Sequence, residues 1–205
     1  MGNIMILNAS PRAPKSNSRK YAQLFCDACP EPAQYFSLNH ANHAQLLSAM
    51  QDYSDVLFVF PLYADAIPVT LLHFLNSMES HHFPQKPVIS VLINCGFLEY
   101  AQNDIAVEMV ELFCSKNGFP MGSVLKIGSG EAILNTPFRF LVKRKIRKLA
   151  LSIVRGQRRV YHVKMPLTKR MFVLASSKYW IAYGKKFGTS PEQMRTMEIE
   201  APPIK

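Results

Sequence analysis

Residues 55–60 read Asp-Val-Leu-Phe-Val-Phe, and Pro61 follows them directly. The run is continuously apolar, aromatic and β-branched, which predicts a β-strand buried on both faces of its sheet. The strand is expected to end at the proline, because proline has no N–H to donate to a neighbouring strand. A strand covered on both faces indicates a layered α/β domain with a parallel sheet.

Strands and helices alternate along the chain on either side of this run. Other short runs that predict strands lie at 3–8, 34–38, 86–93 and 121–127. Between them, apolar residues recur at helical spacing over 18–28, 44–50, 67–78 and 101–116. In the last of these helices we expect Ile105, Met109 and Leu112 to form the buried stripe.

This rhythm predicts an α/β three-layer sandwich of the flavodoxin-like class. We expect a five-stranded parallel sheet in the order 2-1-3-4-5, with helices on both faces and extra helices at the C-terminal end. In that order a crevice opens beyond the carboxyl ends of the strands, between the first and the third. A ligand is expected to bind in this crevice.

The charge of the chain changes sign near residue 131. Residues 1–131 contain seven basic and eleven acidic side chains, a charge of −4, whereas residues 132–205 contain seventeen and three, a charge of +14. Beyond residue 135 the rhythm also changes, to two predicted helices at 138–155 and 166–187 with no further strand. We therefore expect a core at 1–131 and a basic helical extension at 132–205 that packs on the same domain.

Composition excludes several classes of protein. The sequence contains no apolar run of the ~18 residues that predict a membrane-spanning helix, and its first residues lack the pattern of a secretory signal. Four scattered cysteines are too few for a disulfide framework. Cys26 and Cys29 have the spacing of a redox or metal pair, but no second Cys or His pair lies nearby to complete a zinc site. We expect a cytoplasmic protein with reduced thiols and no metal site.

The predicted helix at 138–155 is both basic and amphipathic, and residues 138–164 carry ten Lys or Arg side chains. Its apolar stripe could cover the domain or a partner subunit, or it could lie on an anionic membrane surface. The cations could also attract the phosphates of NADPH. We favour the first role. Nucleic-acid binding is disfavoured, because no recognised nucleic-acid motif accompanies the charge.

The turn after the first predicted strand leads into the first helix and is rich in hydrogen-bond donors. A loop that enters a helix N-terminus offers converging N–H and O–H groups and the positive end of the helix dipole, which together suit a phosphate. Suitable side chains are Ser10, Arg12, Ser16, Asn17 and Ser18. The alternative is an ordinary polar loop with an N-cap serine.

Two further turns follow the third and fourth predicted strands and are expected to flank the same crevice. They contain Pro61, Leu62 and Tyr63, and Asn94, Gly96 and Phe97. Aromatic and apolar side chains suit the wall of a planar ring, and glycine lets the backbone approach it closely. The alternative is that the aromatic residues belong to the core, but the agreement of three turns favours a ligand site.

In these turns the chain resembles the NAD(P)H-dependent FMN reductase family of flavodoxin-like oxidoreductases. The resemblance extends over residues 3–130. It is carried by Leu7-Asn8-Ala9-Ser10-Pro11-Arg12 with Ser16-Asn17-Ser18, by Pro61-Leu62-Tyr63 with Pro68, and by Asn94-Cys95-Gly96-Phe97 with Glu99. The chain departs from the family at Ala9, where the family often has glycine.

The resemblance implies that FMN binds here, with its phosphate on the first turn and its isoalloxazine ring against the other two. The predicted cofactor-binding residues are Ser10, Arg12, Ser16, Asn17, Ser18, Pro61, Leu62, Tyr63, Asn94, Gly96, Phe97 and Glu99. The chemistry would belong to the flavin, so no catalytic side chain is predicted.

The same resemblance implies an oxidoreductase that passes electrons from NADH or NADPH through FMN to a small acceptor: a quinone, flavin, nitro or azo compound. It also implies a homodimer with the flavin near the subunit interface. The alternative is a non-catalytic flavodoxin-fold module whose basic amphipathic helix binds a membrane surface or a partner. An electron carrier is a third reading, but its usual acidic surface contradicts the net charge of +10.

Overall fold

The computed structural model describes residues 3–12 and 15–196. Strands and helices alternate through most of this range. The strands are β1 (Ile4–Asn8), β2 (Ala33–Ser37), β3 (Asp55–Pro61), β4 (Val88–Asn94), β5 (Met121–Ile127) and β6 (Val160–Val163). The helices are α1 (Asn17–Ala28), α2 (His43–Met50), α3 (Val69–Glu79), α4 (Asp104–Asn117), α5 (Arg139–Val154) and α6 (Lys169–Lys185).

The strands form one parallel sheet in the order β2-β1-β3-β4-β5-β6. The predicted fold class and the order of its first five strands are confirmed. The sixth strand corrects the expectation that no strand follows residue 131. Its four residues, Val-Tyr-His-Val, include a histidine, and two of them are exposed, so the strand lacks the continuous apolar signal of a buried strand.

Helices cover both faces of the sheet. One face packs under α2, α3 and α4 in a core cluster that contains Met5, Val56 and Phe58. Their chain neighbours, such as Leu57, are also buried and point to the other face, because side chains alternate along a strand. Helices α1 and α5 pack together and contact β3 and β5, respectively.

Helix α5 is the predicted basic helix, and it covers the sheet. Val142, Ile146 and Leu149 are fully buried, and Ile153 is nearly so. The apolar stripe therefore packs on the domain, the role favoured from the sequence. Its Lys and Arg side chains lie on the outer face.

Helix α4 buries a different face from the predicted one. Ile105 and Leu112 are 58% and 56% exposed, so the prediction of a buried stripe through them was wrong. The buried face contains the smaller residues Ala106, Val107, Val110 and Cys114.

The chain divides into two compact units, residues 1–165 and 166–205. The division lies after Met165 rather than after residue 131, because α5 and β6 belong to the first unit. In the second unit, α6 is followed by a turn in which Met194 contacts Gly184. No helix among the described residues is long and apolar enough to cross a membrane.

Candidate functional site

The three predicted turns all leave the sheet at the carboxyl ends of its strands. Because the strands are parallel, the register brings their carboxyl ends together: Asn8 lies opposite Val59, Pro61 opposite Asn94, and Asn94 opposite Ile127. Leu62 N–H donates to the carbonyl of Asn94 at 2.7 Å. The turns after β1, β3 and β4 are therefore neighbours, as the predicted crevice requires.

The turn after β1 is folded by its own polar side chains. Ser10 N–H donates to Asn8 Oδ1 at 3.1 Å, and Arg12 N–H donates to Ser10 Oγ at 3.3 Å. Asn8 is fully buried and donates from Nδ2 to the Tyr35 hydroxyl at 3.0 Å. Ser10 is almost completely buried, whereas Arg12 is exposed. Residues 13 and 14 of this turn lie outside the described range.

Ala9 continues the sheet rather than the turn. Its N–H donates to the carbonyl of Val59 at 2.9 Å, and its methyl group lies in the core. The described non-glycine residues with positive φ are Ala64, Asp65 and Ser129, so Ala9 needs no glycine-like conformation. The side chain that departs from the family pattern is accommodated without strain.

The turn leads into the N-terminus of α1. Ser16 is the N-cap residue and accepts a hydrogen bond from Arg19 N–H at 3.1 Å. The N–H groups of a first helical turn have no partner within the helix, and the dipole there favours an anion. No acidic residue lies in this first turn, so the site is electrostatically suited to a phosphate.

Two predicted cofactor ligands bond to each other inside the protein. Asn94 Nδ2 donates to Ser18 Oγ at 3.1 Å and to the carbonyl of Phe60 at 3.2 Å. Ser18 and Asn94 are 1% and 3% exposed. The pair ties α1 to the ends of β3 and β4 and so holds this helix against the turns after those strands.

The turn after β3 is a tight hairpin that projects an aromatic ring. Tyr63 and Ala66 exchange two backbone hydrogen bonds of 3.1 Å. Ala64 and Asp65 between them have φ values of 48° and 56°, as a two-residue type I′ turn requires. The left-handed backbone conformation of Ala64 costs about 1–2 kcal/mol. The turn leaves the Tyr63 side chain 58% exposed, so its ring is available to contact a planar ligand.

The turn after β4 is held in place by contacts of Cys95 with β5 and with Asn103. Cys95 N–H donates to the carbonyl of Ile127 at 3.0 Å, and Asn103 Nδ2 lies 3.5 Å from the Cys95 sulfur. Burial raises the pKa of the Cys95 thiol, which keeps it protonated. Phe97 is 53% exposed. Glu99 is exposed and precedes the short 3₁₀ helix Tyr100–Asn103.

A fourth turn, after β5, was not among the predicted site residues. Ser129 adopts a φ of 56°, and its N–H donates to the carbonyl of Phe97. Gly130 N–H donates to the carbonyl of Cys95 at 2.6 Å, and the Tyr21 hydroxyl donates to the Gly130 carbonyl at 2.6 Å. The two glycines of Gly128-Ser129-Gly130, directly after the strand predicted at 121–127, are the sequence signal that could have identified this turn.

Glu131, directly after this turn, was also not among the predicted site residues. Its carbonyl accepts a hydrogen bond of 3.5 Å from Asn17 Nδ2. Its carboxyl carbon lies 3.4 Å from the point where a Cβ on Gly96 would stand. Glu131 thus joins the N-terminus of α1 to the turn after β4, and it places a carboxylate at the crevice.

A cavity of about 400 Å³ lies beside the turn after β1. It is lined by Ser10, Pro11, Ser37, Leu38, Asn39, His40 and Thr70. The exit of β2 and the start of α3 therefore also border the site, which the sequence analysis did not predict. Among residues 3–12 and 15–196, no group of His, Cys, Asp or Glu side chains is placed to hold a metal ion.

Solved structures with the same fold were found, whereas no protein-family model and no curated protein matches the chain. An NAD(P)H:quinone oxidoreductase from Methanothermobacter marburgensis is 14% identical with a TM-score of 0.58, covering 75% of this chain and 97% of its own. An FMN-dependent NADH-azoreductase from Bacillus anthracis, solved with FMN, is 13% identical with a TM-score of 0.56, covering 75% and 99%.

A flavodoxin from Streptococcus pneumoniae also shares the fold, at 12% identity and a TM-score of 0.54, covering 75% of this chain and 98% of its own. At these identities the likeness establishes the flavodoxin-like fold of this chain. It agrees with the strand order read from the hydrogen bonds.

Proposed function

We propose that this chain is an FMN-dependent NAD(P)H oxidoreductase. The observation that carries the proposal is that four turns meet at the carboxyl ends of the strands, beside the capped N-terminus of α1. The Asn94 amide bonds α1, and the main chains of the turns after β3, β4 and β5 bond one another. Such a junction, at the switch point of the sheet, is where ligands bind in folds of this type.

The residues present fit an FMN molecule. Ser10, Ser16 and Asn17, with the first N–H groups of α1 and the Arg12 cation, would hold the phosphate. Two exposed rings lie on the turns after β3 and β4, Tyr63 and Phe97. Both would become partly buried on contact with the isoalloxazine ring. Gly96 is exposed and has no side chain of its own, so its backbone would be able to approach the ring. Ser18 and Asn94 would act mainly by holding these parts in place.

Bound FMN would supply the redox chemistry, accepting hydride from the nicotinamide and passing electrons on to a second substrate. The protein's own groups would bind and orient. The Cys95 thiol and the Tyr21 hydroxyl stay protonated because burial raises the pKa of each, so neither would act as a nucleophile. The quinone- and azo-reducing enzymes among the fold's relatives support a small organic acceptor for this chain.

A homodimer forms part of the proposal. Exposed apolar side chains lie on α3 and α4 and on the two ring-binding turns: Tyr63, Val69, Leu72, Phe97 and Ile105. A second copy that covered them would bring the flavin close to the subunit interface. Sedimentation equilibrium should show a dimer that Val69→Lys weakens, whereas a monomer at all concentrations would contradict this part.

The cytoplasm is the proposed location. The described cysteines Cys26, Cys29, Cys95 and Cys114 are all free thiols, which suits a reducing compartment. Reduced nicotinamides are also used there as electron donors. Fractionation of cells that express the full chain would test the location.

The direct test is a visible spectrum of the purified protein, followed by titration with FMN and anaerobic addition of NADH or NADPH. We expect flavin absorbance, and its bleaching by one of the nicotinamides. Arg12→Ala should raise the Kd for FMN roughly ten- to hundredfold, the loss expected for a charge-assisted hydrogen bond. Arg155→Ala, an exposed cation at the far end of α5, is the control. Protein that stays colourless in excess FMN would refute the proposal.

A further inference from the structure

Helix α6 and the turn that follows it carry a stripe of aromatic rings on their surface. Tyr179, Trp180, Tyr183 and Phe187 follow at helical spacing, and neighbouring rings touch, with centroids 5.0–6.2 Å apart. They are 60%, 46%, 44% and 70% exposed. Four large rings left in water at one place are unusual for a protein surface and mark a contact site.

Cations surround this aromatic stripe. Lys169, Arg170, Lys178 and Lys185 lie within α6, and Lys186 follows it. Residues 169–186 contain no Asp or Glu. The surface that presents the rings therefore attracts anions, and each Lys or Arg adds about 1 kcal/mol of attraction near an anionic membrane.

We propose that α6 docks the protein on a bilayer that contains anionic lipid, with the aromatic stripe in the headgroup region. Tyrosine and tryptophan favour this zone because their rings are apolar and their N–H and O–H groups stay hydrated. Lysine and arginine side chains near the rings are attracted to anionic headgroups, so the helix would lie against the membrane surface. The helix is not one that could span, which agrees with this orientation.

Other partners fit the surface less well. A second copy of α6 would bring like charges together, which costs free energy at close range. A nucleic acid would satisfy the cations, but it offers nothing to the aliphatic side chains Met171, Val173 and Leu174, which are 54%, 51% and 64% exposed. Lipid accommodates both kinds of group. The inference uses only the second compact unit, and it stands whether or not the first unit binds FMN.

The single tryptophan of the chain, Trp180, makes a direct test possible. The full chain is mixed with vesicles of phosphatidylcholine alone, or with phosphatidylglycerol added. We expect the Trp180 emission to shift to the blue and to be quenched by brominated acyl chains with the anionic vesicles. With phosphatidylcholine alone at physiological salt, we expect neither change.

Variants separate insertion of the rings from simple charge attraction. Phe187→Ser should lower partition into the anionic vesicles by roughly tenfold or more, as expected for a buried phenylalanine, and Tyr183→Ser should also lower it. Leu112→Ser, at a residue of similar exposure on α4, is the control and should leave partition unchanged.

Three outcomes would overturn the inference. The first is partition that survives both ring substitutions, which would mean attraction by charge alone. The second is the absence of any partition. The third is a blue-shifted Trp180 emission without lipid that grows with protein concentration together with a dimer in sedimentation, which would identify a second copy as the occupant.

Discussion

Gly96 and Gly130 follow neighbouring strands, but the space around them differs. A Cβ on Gly130 would stand 2.8 Å from the Cβ of Asn94 and 3.1 Å from the carbonyl oxygen of Cys95. A Cβ on Gly96 would come no closer than 3.4 Å to Glu131, an ordinary contact. Packing therefore requires a glycine at position 130, whereas a methyl group at position 96 would make only an ordinary contact with Glu131.

We therefore expect different effects from alanine at these two positions. Gly130→Ala should destabilise the protein by about 1–3 kcal/mol, the usual cost of overpacking. Gly96→Ala should change the free energy of unfolding by less than about 0.5 kcal/mol and should still weaken FMN binding, because it adds a methyl group to a turn that is proposed to contact the ring. Urea unfolding and FMN titration measure the two effects. Equal loss of stability in both variants would contradict the geometry.

His43 makes the stability of the protein depend on pH. Burial lowers its pKa, and the charges of His40 and His73 lower it further. Its Nδ1 lies 3.3 Å from Ser77 Oγ, and its Nε2 is buried with no hydrogen-bond partner among the described residues. Protonation of the folded state is therefore disfavoured relative to the unfolded chain.

The sign of the effect follows from this difference. Below about pH 6.5, the pKa of an unperturbed histidine, the unfolded chain binds the proton more readily, so stability falls as the pH decreases. The loss is complete once the pH is below the lowered pKa of the folded state. His43→Gln should reduce the difference in the free energy of unfolding between pH 7.5 and pH 5.5, measured by urea unfolding. An unchanged difference would show that His43 is not its source.

At the scale of the element, α4 presents two apolar faces and buries one. Val110 is fully buried against the sheet, whereas Ile105 is 58% exposed. Leu112 is also exposed, at 56%, and lies outside the proposed dimer contacts, so Leu112→Lys should change stability by less than about 0.5 kcal/mol. Val110→Asp would bury an unpaired carboxylate and should remove most of a typical stability of about 5–15 kcal/mol. Urea unfolding followed by circular dichroism measures the stability of both variants. Equal losses of stability would contradict the assignment of the Val110 face of α4 as the buried one.

At the scale of the whole molecule, β6 completes the sheet. Val124 N–H donates to the carbonyl of Arg159, and Gly128 N–H donates to the carbonyl of Val163, each at 2.8 Å. Without β6, the edge of β5 would expose these donors and could pair with other chains. The division of the chain after Met165 suggests where the first unit can be cut.

A chain that ends after Met165 should unfold in one cooperative transition and remain monodisperse. A chain that ends after Gly156, which lacks β6, should be less stable and should aggregate. Urea unfolding and size-exclusion chromatography distinguish the two. If the longer chain also aggregates, residues beyond Met165 are needed to hold the first unit together.

Much of the fold was predictable because burial on both faces leaves a local signal. The apolar run at 55–60 and its relatives at 3–8, 86–93 and 121–127 are strands by composition alone. The turns that follow them had to meet at one edge, since the strands are parallel. Local sequence thus predicted these strands and three of the turns at the crevice, and the sheet order followed from the fold class that the alternation of strands and helices matches.

Tertiary packing decided the rest. Both faces of α4 have helical periodicity, and only contact with the sheet selects Val110 over the larger Ile105. The exposed edge strand β6 has no apolar run to reveal it. Hydrogen bonds between distant residues made Ser18 and Asn94 partners and brought Gly130 against the β4 turn. A periodic pattern shows that a residue can be buried, but its neighbours in space determine whether it is.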